Sequence, residues 1–298
     1  MTDTPTRGHL MEGRVAIVTG AGKGLGTAYA LWLARQGCAV VVNNRTHPGI
    51  PSSARLVADV IIAEGGKAVA HEGGIDVATS GYELVELALD SFGRLDILIC
   101  NAGIMPEGPF ADADPEELSR LININVLGTI YPLQAAWRHM LSTGYGRIVL
   151  TGSTVGILGH EGVAPYGATR ATALGLARSL TLEKPRDADI GINVILPFAY
   201  TNMSAKSIDQ VMEAAVIEGI KPDKIAPTVG WLCSEQCKHS GNIFHASSLK
   251  VARIGIVQSA PVEVDPDNVM ALSNAPFSLE PMFEPKDSIG AVGALLGG

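Results

Sequence analysis

The sequence predicts an α/β protein whose single domain is built on a doubly wound parallel sheet. Short apolar runs alternate with longer amphipathic stretches along most of the chain. The apolar runs are rich in Val and Ile and contain few polar residues, which is typical of strands buried on both faces of a parallel sheet. With 298 residues, 47% of them hydrophobic and 17% charged, the chain can bury a large core.

The first part of the chain contains four predicted strands and three predicted helices. We expect strands at 14–20 (RVAIVTG), at 39–43 (AVVVN), within 67–77 (KAVAHEGGIDV) and at 95–103 (LDILICNAG). We expect helices at 25–37, 53–66 and 80–93, because each stretch has apolar residues at helical spacing and ends in glycine.

The second part continues the same alternation. A long helix is expected at 114–141, with Asp114 as its N-cap and Pro115 at its first position. A strand at 146–153, a helix at 164–184 and a strand at 190–197 follow. We expect a flexible tail at 1–12, the domain at 13–248 and an irregular extension at 249–298, which holds five of the 17 prolines.

Composition argues against several classes of function. The formal charge of −8 gives no support for binding a nucleic-acid backbone, and no apolar run approaches the roughly 18 residues of a membrane span. The four cysteines form no disulfide framework in a chain of this length, so a reduced, cytoplasmic location is expected. Cys233, Cys237 and His239 match no common zinc spacing, and we expect no metal site.

A glycine-rich loop, TGAGKGLG at 19–26, joins the first predicted strand to the first predicted helix. Its glycines let the backbone turn tightly and approach a pyrophosphate, and the helix that follows offers unpaired N–H groups. This strand–loop–helix context predicts a dinucleotide-binding site on a Rossmann fold. The loop residues expected to contact the cofactor are Gly20, Lys23, Gly24, Leu25 and Gly26.

Further motifs follow this loop in a fixed order. They are IDV at 75–77, CNAG at 100–103, Asn125 within NINVLG, and Ser153 placed thirteen residues before Tyr166. Together with the G-x-x-x-G-x-G spacing, they resemble the short-chain dehydrogenase/reductase family over residues 14 to about 245. The resemblance implies cofactor contacts from Asp76, Val77, Asn101, Ala102, Gly103, Tyr166, Arg170 and Pro197 and, near the nicotinamide, from Thr201 or Asn202.

The end of the second strand, VVVNNRT, bears on the choice of cofactor. An acidic residue there would bond the ribose 2′-hydroxyl of NAD, but Asn44 takes its place and Arg45 follows. Arg45 is suited to a 2′-phosphate, and Lys23 adds a second positive charge. NADP(H) is therefore favoured, with NAD(H) and a purely solvated role for the two cations left open.

The resemblance also implies a catalytic group made of Asn125, Ser153, Tyr166 and the residue four positions after the tyrosine. Tyr166 exchanges a proton with the substrate oxygen, Ser153 hydrogen-bonds that oxygen, and Asn125 holds a water chain. The fourth residue is normally a lysine that binds the nicotinamide ribose, favours the ionised phenol and passes the proton outward.

Arg170 stands at the lysine position in this chain. A guanidinium keeps the positive charge but does not release a proton in proteins, so the relay function is in question. Three hypotheses follow: a working oxidoreductase that is slower or has a raised pH optimum, a catalytically impaired NADP-binding sensor, and a lyase or epimerase with tightly held cofactor.

Substrate contacts are expected from loops beyond the strand ends, at 104–112, 155–163 and 198–220. The proposed pocket residues are Met105, Leu158, His160, Phe198, Tyr200 and Met203. These mostly apolar side chains favour an apolar ketone or secondary alcohol, although several of them are equally compatible with core positions.

A closer likeness lies in AYALWLARQGCAVVVNN, GGKAV and KPDKIAPTVGWLCSE. These segments are similar to the (R)-3-hydroxyacyl-CoA dehydrogenase portion of peroxisomal multifunctional enzymes and to their 17-beta-hydroxysteroid dehydrogenase relatives. Those enzymes carry aspartate at the position of Asn44 and lysine at the position of Arg170, and use NAD. The family resemblance further implies a homodimer or homotetramer packed through the helices at 114–141 and 164–184.

Overall fold

The computed structural model describes residues 10–209, 212–262, 268 and 282–284. Eight strands form its main sheet: Val15–Val18 (β1), Ala39–Asn43 (β2), Lys67–His71 (β3), Ile97–Cys100 (β4), Tyr145–Thr151 (β5), Asp189–Pro197 (β6), Ile243–Ser247 (β7) and Lys250–Ile254 (β8). Their order is β3-β2-β1-β4-β5-β6-β7-β8, and every pair from β3 to β7 is parallel. The predicted doubly wound α/β fold is therefore confirmed.

The strand order reverses between β1 and β4, which lie side by side although two strands separate them in sequence. In open parallel sheets, ligands bind in the crevice at the carboxyl ends of the strands at such a switch point. The glycine loop follows β1 and the CNAG turn follows β4, so both predicted cofactor motifs meet at this crevice.

The helices cover both faces of the sheet. They lie at Gly24–Arg35 (α1), Ser53–Ala63 (α2), Ser80–Phe92 (α3), Pro115–Ile122 (α4), Gly128–Thr143 (α5), Val155–Leu158 (α6), Ala164–Glu183 (α7), Ala205–Ile208 (α8), Ala214–Gly219 (α9) and Ala226–Leu232 (α10). Single 3₁₀ turns lie at Phe110–Asp112 and Pro222–Lys224. The helices predicted at 25–37, 53–66, 80–93 and 164–184 correspond to α1, α2, α3 and α7.

The strands are buried on both faces, as their apolar runs predicted. Ala16 and Val18 of β1 pack with α1, α2 and α10 in one continuous core. Ile17 lies between them and is 1% exposed, so it is buried on the opposite face, where α3 contacts β1. Burial on two faces explains why these strands show no alternation of apolar and polar residues.

The prediction of one uninterrupted helix at 114–141 is wrong. Residues Asn123–Leu127 form a π-helical turn between α4 and α5. Asp114 does cap α4, since its carboxylate accepts a hydrogen bond from the N–H of Glu116 (3.0 Å). The wide turn places Asn125 inside the protein, and Pro132 within α5 lacks the N–H that a regular helix would donate to Gly128.

An ionic network joins the elements at the amino-terminal edge of the sheet. Asp96, which is 3% exposed, accepts hydrogen bonds from Arg14 (2.7 Å), Arg94 (2.6 and 2.7 Å) and the N–H of Val15 (3.0 Å). Burial opposes ionisation of this carboxyl, but the bonds from Arg94, Arg14 and Val15 outweigh it and hold its pKa below the usual range.

We expect Asp96→Asn to lower the free energy of unfolding at pH 7 by about 2 kcal/mol, because it removes charge-assisted hydrogen bonds from a buried acceptor. A carboxyl with a depressed pKa stabilises the fold above its unfolded pKa of about 3.9 and loses that contribution as the pH falls through the folded value. The difference between native protein and variant should therefore shrink below about pH 4. Urea unfolding at pH 7 and in acid measures it, with Asp59→Asn on the exposed side of α2 as control. A difference that does not change with pH would contradict this account.

The chain divides between Arg253 and Ile254 into two compact units. The described part of the second unit contains a short antiparallel pair, Gln258–Ser259 (β9) and Met282–Phe283 (β10). Residues 1–9 of the predicted tail and much of the predicted extension at 249–298 lie outside the described residues, so those domain limits stay predictions. Within the described ranges, no helix combines the length and the hydropathy needed to cross a membrane.

Candidate active site

The glycine loop is pressed between the ends of β1, β2 and β4. Gly20 has a φ of 62°, and a Cβ at this position would lie only 2.7 Å from the Cα of Ala102. The N–H of Ala21 donates to the carbonyl of Asn43 at the end of β2 (2.7 Å). Both the left-handed backbone and the close approach require glycine at position 20.

Asn101 fixes the CNAG turn against this loop. The N–H groups of Asn101 and Ala102 donate to Oγ1 of Thr19 (3.0 and 3.2 Å). Nδ2 of Asn101 donates to the carbonyls of Thr19 (3.1 Å) and Gly20 (3.3 Å). The two predicted cofactor motifs are thus one hydrogen-bonded unit.

We expect Gly26→Ala to weaken binding of NADPH or NADH at least about tenfold, because crowding of this size costs about 1–3 kcal/mol. A Cβ on Gly26 would lie 2.7 Å from Nδ2 of Asn101 and 2.8 Å from Cα of Ala21, so the loop would have to shift. Fluorescence titration measures the dissociation constant. Gly175→Ala in α7 is the matched control, since its Cβ would meet nothing within 4 Å. Equal affinities for Gly26→Ala and native protein would contradict the predicted phosphate site.

Asn44, which stands where an acidic residue would bond the ribose of NAD, is hydrogen-bonded within the protein. Its Nδ2 donates to Oγ of Ser53 at the start of α2 (2.8 Å). Gly22 packs against both side chains, since a Cβ there would lie 2.8 Å from Cγ of Asn44 and would overlap Oγ of Ser53. Lys23 is exposed at the N-cap position of α1, next to this group.

Arg45 and Asp76 contact each other across the loop that follows β3. Nη2 of Arg45 and Oδ1 of Asp76 form an ion pair, with the two side chains 42% and 20% exposed. The sequence analysis assigned Arg45 to a 2′-phosphate and, by family resemblance, Asp76 to the cofactor, and the structure pairs the two residues with each other. Val77 is 54% exposed beside them.

Asn125 joins three segments around the predicted catalytic group. Its Oδ1 accepts from the N–H of Ile104 (2.9 Å), and its Nδ2 donates to the carbonyl of Ile104 (3.0 Å) and to Oγ1 of Thr169 (3.0 Å). Asn125 is 2% exposed, so its amide has a structural contribution whatever its role in catalysis.

Tyr166 and Arg170 lie one turn apart on α7 and are 7% and 4% exposed. Cζ of Arg170 lies 5.3 Å from the centre of the Tyr166 ring, and its Nη1 donates to the carbonyl of Thr151 at the end of β5 (3.1 Å). On the other side is Gly103, where a Cβ would lie 2.8 Å from Cζ and would overlap Nη2. The guanidinium therefore occupies a slot that a side chain at position 103 would fill.

Ser153 lies at the end of β5 and accepts a hydrogen bond from the N–H of Val155 (3.2 Å). Within the described ranges no direct hydrogen bond joins Ser153 to Tyr166. Catalytic hydrogen bonds often tighten only when substrate is bound. The predicted roles of Ser153 and Tyr166 therefore remain predictions.

The predicted nicotinamide contacts lie where β6 ends. Pro197 is the last residue of that strand. Thr201 packs on the glycine loop, because its Cγ2 would lie 3.6 Å from a Cβ on Gly24, whereas Asn202 is exposed.

The predicted substrate residues surround the same end of the sheet. The exposed fractions are 79% for Leu158, 38% for Phe198 and 39% for Met203, and His160 is also exposed, whereas Met105 and Tyr200 are partly buried. Two of the three substrate loops are joined by a hydrogen bond from the N–H of Gly108 to the carbonyl of Gly162 (2.8 Å).

The cysteines and His239 take part in packing. Burial raises the pKa of Cys100 to about 12, so its thiol stays protonated. The His239 ring packs edge-on against Trp231 and Phe244, with ring centres 5.6 and 5.5 Å away. No group of three or more potential metal ligands occurs in the part of the chain that the structure describes.

A family model described as short chain dehydrogenase matches residues 14–211. The chain belongs to the short-chain dehydrogenase family. This confirms the family resemblance and the assignment as an oxidoreductase of this family acting on CH–OH or C=O groups.

Individual proteins similar to this short-chain dehydrogenase support the family assignment. The peroxisomal multifunctional enzyme type 2 of Mus musculus is 38% identical over 243 residues, 80% of this chain but 32% of the mouse protein. A putative short-chain type dehydrogenase/reductase of Mycobacterium tuberculosis is 34% identical, over 83% of this chain and 86% of that protein. Among solved structures, a 3-oxoacyl (acyl-carrier-protein) reductase of Agrobacterium tumefaciens C58 with NADP bound has a TM-score of 0.70 and 27% identity, covering 80% of this chain and 94% of that one.

The sequence analysis missed several polar groups of this short-chain dehydrogenase. They are the hydroxyls of Thr19, Ser53, Thr151 and Thr169 and the backbone of Ile104. Thr19 and Thr169 each stand next to a recognised motif residue, so a search for hydroxyls beside motifs would have found them. Ser53 and Ile104 carry no comparable signal, because only the tertiary fold brings them to the site.

Proposed function

We propose that this protein is an NADP(H)-dependent oxidoreductase that transfers a hydride between nicotinamide and the carbonyl or secondary alcohol carbon of an apolar substrate. The observation that carries the proposal is the pairing of Tyr166 with a buried cation, Arg170, beside a glycine loop at the switch point of the sheet. An acid–base phenol next to a dinucleotide site fits oxidoreduction of a C–O group.

The residues present fit the cofactor. Nε of Arg170 and Oγ1 of Thr151 are buried and have no hydrogen-bond partner among the described residues. Such groups are costly unless a ligand or water satisfies them, and a ribose hydroxyl is a suitable partner. Gly20, Gly24 and Gly26 would hold the pyrophosphate, and Thr201 would lie near the nicotinamide. The bound cofactor supplies or accepts the hydride.

Tyr166 holds the proton that the substrate oxygen gains or loses. Arg170 stabilises the phenolate that remains after proton donation, because its positive charge lies near the tyrosine ring. Since the guanidinium does not pass the proton on, reprotonation of Tyr166 proceeds from water or from a hydroxyl at the site.

The favoured cofactor is NADP(H), because of the charges near position 44. Position 44 carries a neutral amide in place of a carboxylate, and Arg45 and Lys23 lie close by. The Agrobacterium reductase, a structural neighbour, has NADP bound. A guanidinium and an ammonium at this place favour a 2′-phosphate over a hydroxyl.

The substrate proposed is a ketone or secondary alcohol with an apolar body, of steroid or 3-hydroxyacyl type. Leu158, Phe198 and Met203 expose apolar surface near the end of the sheet where Tyr166 lies. The name of the Agrobacterium reductase favours the acyl type among these. Leu141 of α5 and Leu182 of α7 are also exposed, at 39% and 62%, which supports a homodimer or homotetramer packed through these helices.

The test is a turnover screen with NADPH and with NADH, across pH, on acyl thioester, steroid and aryl ketones. We expect faster consumption of NADPH than of NADH on at least one ketone. Cofactor binding without turnover on any substrate would support the impaired sensor instead. Product formation without net change in cofactor would support the lyase or epimerase.

A further inference from the structure

The ion pair formed by Arg45 and Asp76 fills a space that a glycine leaves open. The two side chains reach each other from the loops after β2 and β3 and lie against Gly74. A Cβ on Gly74 would lie 2.8 Å from Nε of Arg45 and 2.7 Å from Oδ1 of Asp76. The missing side chain at position 74 therefore leaves the space that this ion pair fills.

Of the two acidic residues on the loop after β3, Asp76 is the one whose carboxylate pairs with Arg45. Glu72, on the same loop, bonds Arg55 instead (3.3 Å). Asn44 is neutral and donates to Ser53 (2.8 Å). Lys23 forms no ion pair within the described ranges and stands free beside the glycine loop.

A carboxylate and a phosphate are alternative acceptors for one guanidinium. A 2′-phosphate that binds Arg45 must share it with Asp76 or separate the pair, and it is also repelled by the carboxylate. A ribose 2′-hydroxyl carries no charge, so it neither competes with Asp76 for Arg45 nor is repelled by the carboxylate. The pair is partly exposed, so the penalty corresponds to a few-fold change in affinity.

We propose that Asp76 determines how strongly this protein prefers NADP(H) over NAD(H), by competing with the 2′-phosphate for Arg45. The inference rests on the proposed use of Arg45 as the phosphate contact. It makes Asp76 a specificity residue in addition to any contact with the adenine, and it predicts that the native chain accepts both cofactors.

The experiment measures dissociation constants of NADPH and NADH by fluorescence titration of the full chain at fixed ionic strength. The variants are Asp76→Asn, Arg45→Ala and the double variant, and Glu72→Gln removes one charge from the same loop as a matched control. An adenine contact is common to both cofactors, so it cancels in the ratio of the two constants.

We expect Asp76→Asn to raise the preference for NADPH about three- to tenfold, and Glu72→Gln to leave it within about twofold. In the Arg45→Ala background, the same Asp76→Asn change should alter the ratio by less than about twofold, because only the weak repulsion between carboxylate and phosphate is then removed. Asp76→Ala serves as a second variant if Asp76→Asn fails to fold.

Two results would contradict the proposed competition between Asp76 and the 2′-phosphate without contradicting the proposed function. One is an unchanged ratio in Asp76→Asn while Arg45→Ala selectively loses NADPH. The other is an increase of the same size with and without Arg45, which would mean that charge repulsion alone sets the preference. If Arg45→Ala itself loses no NADPH preference, the proposed phosphate contact is wrong as well.

Discussion

Tyr166→Phe is expected to lower kcat by about 10²–10⁴-fold, which is the usual contribution of a positioned acid–base group. Binding of NADPH should stay within about twofold of native, because phenylalanine keeps the packed ring and the phenol exchanges its proton only during the reaction. Tyr166 is 7% exposed and its ring lies near the Arg170 guanidinium, a contact that the phenylalanine ring is expected to keep.

Steady-state kinetics and cofactor titration on the same preparations measure the two effects. Tyr82→Phe is the matched control, since Tyr82 lies on α3 and is 43% exposed. A Tyr166→Phe variant that keeps more than about a tenth of native kcat would show that another group supplies the proton.

Gly103→Ala is expected to lower kcat/KM by about ten- to 100-fold, which corresponds to about 1–3 kcal/mol of crowding at the site. The added Cβ would lie 2.8 Å from Cζ of Arg170 and 3.0 Å from Oδ1 of Asn125, and it would overlap Nη2 of Arg170. The guanidinium would have to leave the slot beside the carbonyl of Thr151, and the positive charge would move relative to Tyr166.

A double-mutant cycle isolates this cause. Lysine has no second terminal nitrogen, so in an Arg170→Lys background Gly103→Ala should cost several-fold less than in the native background. Gly108→Ala is the control, because a Cβ there would meet nothing within 4 Å. Equal costs in both backgrounds would mean that Gly103 acts on the cofactor or on Asn125 and not through Arg170.

The sheet was predictable because its strands carry the signal in their own composition. VAIV and ILIC are apolar throughout and AVVVN is apolar up to its last residue, Asn43, as expected of strands buried on both faces. The glycine loop was predictable for a related reason, since its chemistry requires particular residues at particular spacing in one short segment.

The interior of the site was less predictable because its contacts join distant segments. The bond between Asn44 and Ser53 spans two elements, and the pair of Arg45 with Asp76 joins two loops. The π-helical turn at Asn123–Leu127 carries Asn125, whose side chain bonds the backbone of Ile104, and helical periodicity does not predict such a contact. In each case the sequence identified a residue but not its partner.

For Arg170, too, the sequence identified the residue but not the groups that surround it. Its spacing from Tyr166 predicted that both lie on one face of a helix, and they do. The guanidinium is bulkier than the lysine ammonium that it replaces. The structure shows that Gly103 and the carbonyl of Thr151 accommodate it, so a bulky cation and a tyrosine occupy the site together.

The central claim is that this tyrosine and permanently charged cation support hydride transfer to a carbonyl carbon. The most direct measurement uses NADPH carrying deuterium at C4, in each of its two configurations, with 3-oxoacyl thioester, steroid and aryl ketones. We predict that one configuration places deuterium on the carbinol carbon of at least one product, and that Tyr166→Phe slows this transfer by about 10²–10⁴-fold. If the protein binds NADPH but no product carries the label from either configuration, the account is contradicted.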